Sequence, residues 1–444
     1  RINILKYAPI IEKARTSFWF LPSFMVLSSI VLAVFSVYID AVFIDNAQLS
    51  TPLIYSMDIS STRSLLGTIA GAMITVTSIA FSMTIVALTL ASSQFGPRLL
   101  RNFMMDKGTQ VVLGFFISNF LFCILVFCAL SFQEPYAFKP GLTVVIALLM
   151  TCCSVGVLIY FIHHVSKSIQ ADVVINDVYQ ELQKSIANLF PLTKEQSGQV
   201  NKSDAKEADF KKKLDPVEVL AHCSGYIQTT DHKLLLTLAI EKNILIECKF
   251  IPGNFVVKNS VIALIHSDQA VDESVVNHVA NKIVLGSYRT PVQDPEFAIH
   301  QLVEVALRAL SPGINDPYTA ITCVDKLNSV LCELTSRTFP ENLRYDKDDV
   351  LRLVCKVLSF TDIAKAAFEK IRQHASDDIA VTIRLLESLN NLMLFAKNDL
   401  PSPVGAKMAK FLALIRFFFS SQTSFNTGML CSLSLKMIPV LSDL

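Results

Sequence analysis

The segment Leu65–Ser93 constrains this chain more than any other feature, because it carries no charged residue over its whole length. An α-helix of this length spans the ~30 Å hydrocarbon core of a bilayer with some tilt. On such a helix, one face consists of small and hydroxyl-bearing residues. This hydroxyl stripe comprises Thr68, Gly71, Thr75, Ser78, Ser82, Thr89 and Ser92. The segment therefore predicts a membrane-spanning helix with one polar face.

The hydroxyl stripe has two interpretations. Small residues let helix backbones approach closely, and Gly67-x-x-x-Gly71 is a contact pattern of membrane helices. Hydroxyl oxygens also replace part of the water shell of an ion, so the stripe would line a polar path. Both interpretations hold together if copies of the helix surround a common axis.

Composition divides the chain into an apolar part and a more polar part. Hydrophobic residues make up 52% of the sequence and charged residues 17%, with the apolar excess before residue 165. A membrane domain followed by a soluble region is expected. The net charge of +1 gives no argument for nucleic acid as a partner. The ten cysteines include no C-x-x-C pair, so the sequence predicts neither a zinc cage nor a redox pair, and no cofactor. The pattern fits buried thiols in a reducing compartment.

The fold class predicted from these patterns is a polytopic α-helical membrane domain of about four spans, followed by a cytoplasmic α+β region. A basic interfacial arm (1–17) precedes the membrane domain (18–165), whose spans are expected near 18–39, 65–93, 111–132 and 142–162. A connecting helix (166–192), a linker (193–216), a small β-rich domain (217–270), a helical domain (271–410) and an atypical tail (411–444) follow.

The distribution of Lys and Arg predicts the orientation in the bilayer. The N-terminal arm has four such residues and the second loop three, whereas the first and third loops have one each. By the positive-inside rule, both termini and the C-terminal region are expected in the cytoplasm.

Two polar clusters are candidate sites. Gln94, Arg98 and Arg101 follow the uncharged span and would form a charged collar at the cytoplasmic mouth of a path, or else a simple positive-inside anchor. Glu296, His300 and Glu304 share one face of a helix, and Asn315 and Asp316 follow it. These five residues would form a ligand or assembly site; the alternative is a solvated ion-pair face with two helix caps, at Asp294 and Asp316. No nucleophile-elbow, P-loop or zinc-protease motif occurs, so an enzyme is not expected.

Several motifs resemble one family of bacterial predicted membrane proteins, grouped as domain of unknown function 2254. They are SFWFLP (17–22), IAGAMIT (69–75), LTLASSQFGPR (88–98), YFIHH (160–164), RTPVQDPEF (289–297) and RALSPGINDP (308–317). The likeness extends from about Ser17 to about Leu392. It implies a bacterial inner-membrane protein with a cytoplasmic C-terminal region, and it supplies no activity.

The function expected first is a homo-oligomeric ion channel, or channel-like transporter, with a path lined by the hydroxyl stripe. Neutral oxygen ligands favour a cation as the conducted ion, and the four predicted spans contain no acid of the kind that couples transport to protons or Na⁺. The expected partners are the bilayer, small inorganic ions and further copies of the chain. The alternatives are a membrane-anchored signalling or scaffold protein without conduction and, third, a membrane enzyme using the face of Glu296, His300 and Glu304.

Overall fold

The computed structural model describes residues 19–44, 58–99, 103, 106–131, 141–192 and 216–398. The predicted basic arm, nearly all of the predicted linker, the tail after residue 410 and Arg101 lie outside the described residues. The chain divides into two compact units, residues 1–174 and 175–444.

The described residues of the first unit include four long apolar helices, and this confirms the four predicted helical segments. They are α1 (Phe20–Ile39, followed by a π-helical turn Asp40–Ile44), α2 (Ile59–Phe95), α3 (Lys107–Ala129) and α4 (Leu142–Ser168). Each has the length and hydropathy that crossing a membrane requires. Helix α2 begins earlier than predicted, at Ile59, and so includes Arg63. The Arg63 guanidinium donates to the carbonyl of Leu130 at the C-terminal end of α3, where a cation is favourable.

Helix α3 is the centre of this unit. It packs against α1, α2 and α4, and it has the largest buried share of the four helices. One apolar core joins all four helices through residues such as Ala33, Met73, Phe122 and Ala147. A polar contact lies in the same interior, where the buried Asn119 donates from Nδ2 to Ser154 Oγ at 2.9 Å. Apolar packing and satisfied polar pairs therefore both hold α3 in place.

The buried Asp40 joins the end of α1 to the start of α4. Its carboxylate accepts hydrogen bonds from the backbone N–H groups of Gly141, Leu142 and Thr143 at 3.1, 2.9 and 3.0 Å. These N–H groups have no partner inside their own helix, and the N-terminal end of a helix favours an anion. The sequence pattern shows Asp40 only as a loop residue, because its partners lie about a hundred residues away.

The second unit combines helices with two sheets. Its strands are β1 (Val217–Leu220), β2 (Gly225–Thr230), β3 (Leu245–Cys248), β4 (Phe255–Val256), β5 (Val261–His266), β6 (Ile283–Gly286), β7 (Leu343–Tyr345) and β8 (Leu351–Val354). One sheet has the order β1-β5-β3-β8-β7 and the other β4-β2-β6. All pairs are antiparallel except β3 and β8, which run parallel.

The sheets extend beyond the segment predicted to be β-rich. Strands β6, β7 and β8 lie after residue 270, where the sequence predicts helices alone. Strand β7 has three residues and β8 four, too short to show a period of two. They become strands through pairing with distant partners, as β8 does with β3. The larger sheet therefore joins the two predicted domains.

The helices of this unit are α5 (Ala171–Leu189), α6 (His232–Glu241), α7 (Glu273–Asn281), α8 (Pro295–Ala309), α9 (Pro317–Thr335), α10 (Phe360–His374) and α11 (Ile379–Asn398). Helix α5 crosses the division between the units, and its residues Val178, Leu182 and Ile186 are buried within the chain. The predicted caps of α8 and α9 are confirmed. Asp294 accepts from Phe297 N at 3.2 Å and Asp316 from Thr319 N at 3.1 Å, each followed by proline at the start of its helix.

Candidate functional site

The hydroxyl stripe of α2 faces away from the core of its own unit. The face of α2 that packs inward consists of Thr62, Leu66, Ile69, Ala70, Met73, Thr77 and Ala80, all buried. The stripe lies on the opposite face, where every member except the half-buried Ser92 is exposed. Within the part of the chain that the structure describes, the stripe therefore neither packs against a helix nor lines an internal path.

The hydroxyl groups of the stripe are oriented by their own helix. Thr68, Thr75, Ser78 and Thr89 each donate to the backbone carbonyl four residues earlier, at 2.8–2.9 Å. This back-bonding satisfies the hydroxyl proton inside the helix. Each oxygen keeps its lone pairs, and these point away from the unit. The exposed face is therefore a row of hydrogen-bond acceptors.

Gly71 lies at an open position of the stripe. A Cβ built on it would meet no atom within 4 Å, so no neighbour among the described residues requires a glycine there. Exposed apolar side chains, including Ile74, Ile79 and Met83, flank the stripe. The surface of α2 is therefore a narrow polar row bordered by apolar residues.

The predicted mouth residues lie where α2 ends. Gln94 and Arg98 are exposed, and Gly96 terminates the helix with its N–H bonded to Ser92 O at 3.2 Å. Gly96 has φ 106°, a backbone conformation that favours glycine. Pro97 follows and prevents continuation of the helix. The structure thus brings Gln94 and Arg98 to the same end of α2 as Ser92.

A pair that sequence reasoning missed joins α3 to α4. Asp106 caps α3 by accepting from Thr109 N at 2.8 Å, and the same Oδ2 lies 2.6 Å from His164 Nε2. Burial raises the pKa of Asp106, but hydrogen bonds from Thr109 and His164 outweigh it and leave the pKa below its ordinary value. The Tyr160 ring stacks on His164 at 5.4 Å between ring centroids. The sequence pattern predicts only an interfacial anchor at His163-His164, because the Asp106 partner is distant in the chain.

The close approach of α3 and α4 at this pair requires the absence of a side chain at Gly108. A Cβ on Gly108 would stand 2.5 Å from His164 Nε2 and 2.9 Å from His164 Cε1. Real Cβ atoms do not approach other atoms so closely. Gly108 therefore permits the contact between Asp106 and His164.

In the second unit, the RTPVQDPEF motif forms a compact ion cluster. Arg289 donates from Nε and Nη2 to the two carboxylate oxygens of Asp294, at 2.6 and 2.8 Å, and its Nη2 lies 3.7 Å from Glu296 Oε2. Asp294 is almost completely buried, so the bidentate pairing compensates its desolvation. Burial, followed by the charge of Asp294, raises the pKa of Glu296.

The five residues of the predicted ligand or assembly site have individual structural roles. Glu296 faces Arg289, and Glu304 lies 3.7 Å from Arg308 in an i,i+4 pair. Asn315 adopts φ 50° in the turn before α9, and Asp316 caps that helix. His300 is half-buried on α8 between the two glutamates. Among the described residues, no group of three or more His, Cys, Asp or Glu is arranged to hold a metal ion.

Comparison with known proteins gives one family and several relatives. The chain matches the family described as Predicted membrane protein (DUF2254) over residues 15–391. It is 30% identical, over 390 residues, to the uncharacterised protein Rv1290c of Mycobacterium tuberculosis and to the uncharacterised protein Mb1321c of Mycobacterium bovis. Each alignment covers 86% of this chain and 72% of the relative. No solved structure matches the chain.

The family match covers nearly the whole chain and includes the four apolar helices, the Asp106–His164 pair and the Arg289–Asp294–Glu296 cluster. The protein is therefore a membrane protein, and it belongs to the family of predicted membrane proteins designated domain of unknown function 2254.

Proposed function

We propose that this membrane protein is a homo-oligomeric ion channel or channel-like transporter whose path is lined by the hydroxyl stripe of α2. One observation carries the proposal: the stripe faces away from α3 and presents a row of oxygen acceptors. Such a row is unfavourable in contact with lipid, and copies of α2 around a common axis would bring it into contact with water and ions instead.

The chemistry of the stripe favours a cation and passive conduction. Four of its hydroxyl protons, those of Thr68, Thr75, Ser78 and Thr89, are donated to backbone carbonyls, so these groups present oxygen lone pairs on the exposed face. Oxygen ligands of this kind replace water around a cation. Asp40 and Asp106, at the ends of the apolar helices, cap α4 and α3 and do not lie on α2. No described carboxylate is thus placed on the stripe to couple conduction to proton movement.

We also propose a cellular location for the protein and its orientation in the membrane. The excess of Lys and Arg on the N-terminal arm and the second loop supports both termini in the cytoplasm of a bacterium, with the protein in the inner membrane. The second unit would then lie in the cytoplasm, where it would assemble the oligomer or receive a gating signal. In this proposal the protein is not an enzyme, uses no cofactor and binds no nucleic acid.

The test is ion flux into vesicles that contain the purified protein, with Na⁺, K⁺ and Cl⁻ compared against protein-free vesicles. The variant Thr75→Ala/Ser82→Ala removes two hydroxyls from the stripe. Its matched control, Thr77→Ala/Thr84→Ala, removes two from the inward side of the same helix, where Thr77 and Thr84 bond to Met73 O and Ala80 O. We expect cation flux that changes several-fold in the first variant and remains in the second. Equal flux in both variants, with the oligomer intact, would contradict the proposal.

The open position of Gly71 also supports the scaffold alternative, in which the stripe only packs copies together. Gly71→Leu distinguishes the two, because a Cβ at this position meets nothing within 4 Å and the helix itself accommodates the first atom of the new side chain. If the stripe is a tight helix contact, this variant dissociates the oligomer, and vesicles containing the unmodified protein conduct no ion. If the stripe lines a path, the oligomer persists and flux falls.

A further inference from the structure

Two cysteines that are distant in the sequence are neighbours in the larger sheet. The parallel strands β3 and β8 pair Ile246 with Leu353 and Glu247 with Val354. The next pair in this register is Cys248 and Cys355. The Cys355 N–H donates at 2.8 Å to the carbonyl of Asn342, the residue before β7, so the sheet pairing continues to Cys355. Adjacent strands lie about 4.8 Å apart. This separation falls within the range of about 4.4–6.8 Å between Cα atoms that a disulfide spans.

A histidine and an arginine accompany the pair. His232, the first residue of α6, places Nδ1 3.3 Å from Cys355 Sγ. The preceding Asp231 caps that helix by accepting from Leu234 N at 3.0 Å, which fixes the position of His232. Arg344 on β7 acts electrostatically on both cysteines, and Glu247, paired with Lys249 at 2.7 Å, acts on Cys248. The cluster therefore gives Cys355 a polar, electropositive side within an apolar core.

These neighbours make the two thiols unequal. The hydrogen bond with Cys248 lowers the pKa of Cys355 below its ordinary value, and His232 and Arg344 lower it further, against the effect of burial. The same hydrogen bond, together with burial, raises the pKa of Cys248 well above its ordinary value. By contrast, burial alone raises the pKa of Cys332, to about 11. A thiol of lowered pKa beside a thiol of raised pKa is the arrangement of a nucleophilic cysteine with a resolving partner.

Burial restricts access to the two cysteines. Cys248 and Cys355 are 5% and 2% exposed. His232 and Arg344, which act on Cys355, also line a cavity of about 190 Å³ together with Lys356. The burial of the two cysteines favours reaction with a molecule as small as hydrogen peroxide over reaction with bulky thiol reagents.

We propose that Cys248 and Cys355 are a redox-active dithiol that hydrogen peroxide converts into a disulfide. The Cys355 thiolate attacks one peroxide oxygen, the O–O bond breaks, and the released hydroxide takes up the proton that Cys355 had given up. Cys355 is then a sulfenic acid. The Cys248 sulfur attacks the Cys355 sulfur, the S–S bond forms, and the S–O bond breaks. The hydroxide released there leaves as water with the Cys248 proton. Two thiols are oxidised and one peroxide is reduced to two waters.

The structural effect of the disulfide is a covalent connection between β3 and β8. These strands join the part of the sheet formed before residue 270 to the part formed after residue 340. Oxidation thus fixes the one parallel ladder among the described strands. This inference does not depend on whether the membrane helices conduct ions.

The test uses the full chain, purified in detergent and fully reduced, then exposed to hydrogen peroxide. Peptide mass spectrometry should find the 248–355 disulfide. Cys248→Ser should leave a sulfenic acid at Cys355 that dimedone traps, and Cys355→Ser should leave none at Cys248. The control variant Cys323→Ser lacks another buried cysteine, and in it the 248–355 disulfide should form as in the unmodified protein.

The role of His232 is tested by the pH dependence of the reaction. In the unmodified protein the rate should depend less on pH between 6 and 8 than that of an ordinary thiol, because its neighbours lower the pKa of Cys355. With His232→Gln the rate at pH 6 should fall about tenfold and rise with pH, as expected for a smaller thiolate fraction. Oxidation confined to other cysteines such as Cys223, or a 248–355 disulfide that forms no faster than random pairs, would overturn the proposal.

Discussion

Gly253 lies directly against the carboxylate of Asp294. A Cβ built on Gly253 would stand 2.7 Å from Asp294 Cγ and 3.0 Å from Arg289 Nη2, and Gly253 itself has φ 95°. The turn after Pro252 therefore covers the ion pair from one side. Neither a side chain nor an ordinary backbone conformation is compatible with this position.

Gly253→Ala should consequently destabilise the second unit. The backbone strain of a non-glycine residue at positive φ costs about 1–2 kcal/mol. The clash with the buried pair adds about 1–3 kcal/mol. Gly313→Ala is the control, since a Cβ there meets nothing within 4 Å. The melting temperature of the detergent-solubilised protein should fall clearly for Gly253→Ala and hardly at all for Gly313→Ala. Equal melting temperatures would contradict the close contact.

Removing the charge of Asp294 and removing that of Glu296, both beside Arg289, should change the stability of the fold differently. Asp294→Asn breaks a buried bidentate pair and leaves Arg289 without its main partner, which costs about 3–5 kcal/mol. Glu296→Gln should be neutral or stabilising at pH 7, because burial and Asp294 already disfavour the ionised form and raise its pKa.

The pH dependence gives the sign of the Glu296 effect. Because the folded-state pKa of Glu296 is raised above 4.5, its ionised form destabilises the fold at higher pH, and this cost disappears as pH falls through the raised pKa. Denaturation curves of the unmodified protein and of Glu296→Gln should therefore converge towards pH 4.5. Divergence on acidification would show that Arg289 dominates Glu296 instead.

The parts of this molecule that the sequence predicted are those specified by neighbouring residues. The uncharged segment before Ser93 gives a long helix, and Asp294-Pro295 and Asp316-Pro317 give helix starts, because each signal is complete within a few residues. The contacts of Asp40 with Thr143, and of Asp106 with His164, join residues on different helices. No local period indicates them, because each pair forms only when the helices pack together.

The larger sheet also depends on contacts between residues that are distant in the sequence. Strand β8 extends only over Leu351–Val354. It is held in the sheet by pairing with β3, which lies about a hundred residues earlier in the sequence. The neighbouring cysteines follow from that pairing, so spacing alone cannot find Cys248 beside Cys355. For the hydroxyl stripe, periodicity predicted a common face, whereas the direction of that face depends on which side of α2 packs against α3.

The buried Asp40 should be important for the stability of the membrane unit. Asp40→Asn keeps the size of the side chain but removes the charge that caps α4, with an expected loss of about 1–2 kcal/mol. Asp58→Asn is a matched control at the start of α2, where Asp58 is exposed and makes no side-chain cap. Thermal aggregation in detergent should begin at a lower temperature for the first variant alone. An identical shift for both would mean that the burial of Asp40 contributes nothing.

The contact of α3 with α4 at Asp106 and His164 permits a test by paired substitutions. Gly108→Ala brings a methyl group within 2.5 Å of His164 Nε2, so it should displace the imidazole and weaken the pair. His164→Ala removes the pair itself. In the double variant the imidazole that the methyl group would displace is gone, so its stability should equal that of His164→Ala, or exceed it by the helix preference of alanine, about 1 kcal/mol. Gly156→Ala on α4 is the control, because its Cβ meets nothing within 4 Å.

Acidification gives an independent measure of the same pair. The folded-state pKa of Asp106 lies below 3.8, so its contribution to stability is present above that pH and is lost as pH falls through the lowered value. Asp106→Asn should remove this acid dependence and lower stability at neutral pH, whereas Gly108→Ala should lower stability while reducing the acid dependence only in part. Because Thr109 N also holds the Asp106 carboxylate, some of the lowering survives displacement of His164. An unchanged acid dependence in Asp106→Asn would show that another carboxylate is responsible for it.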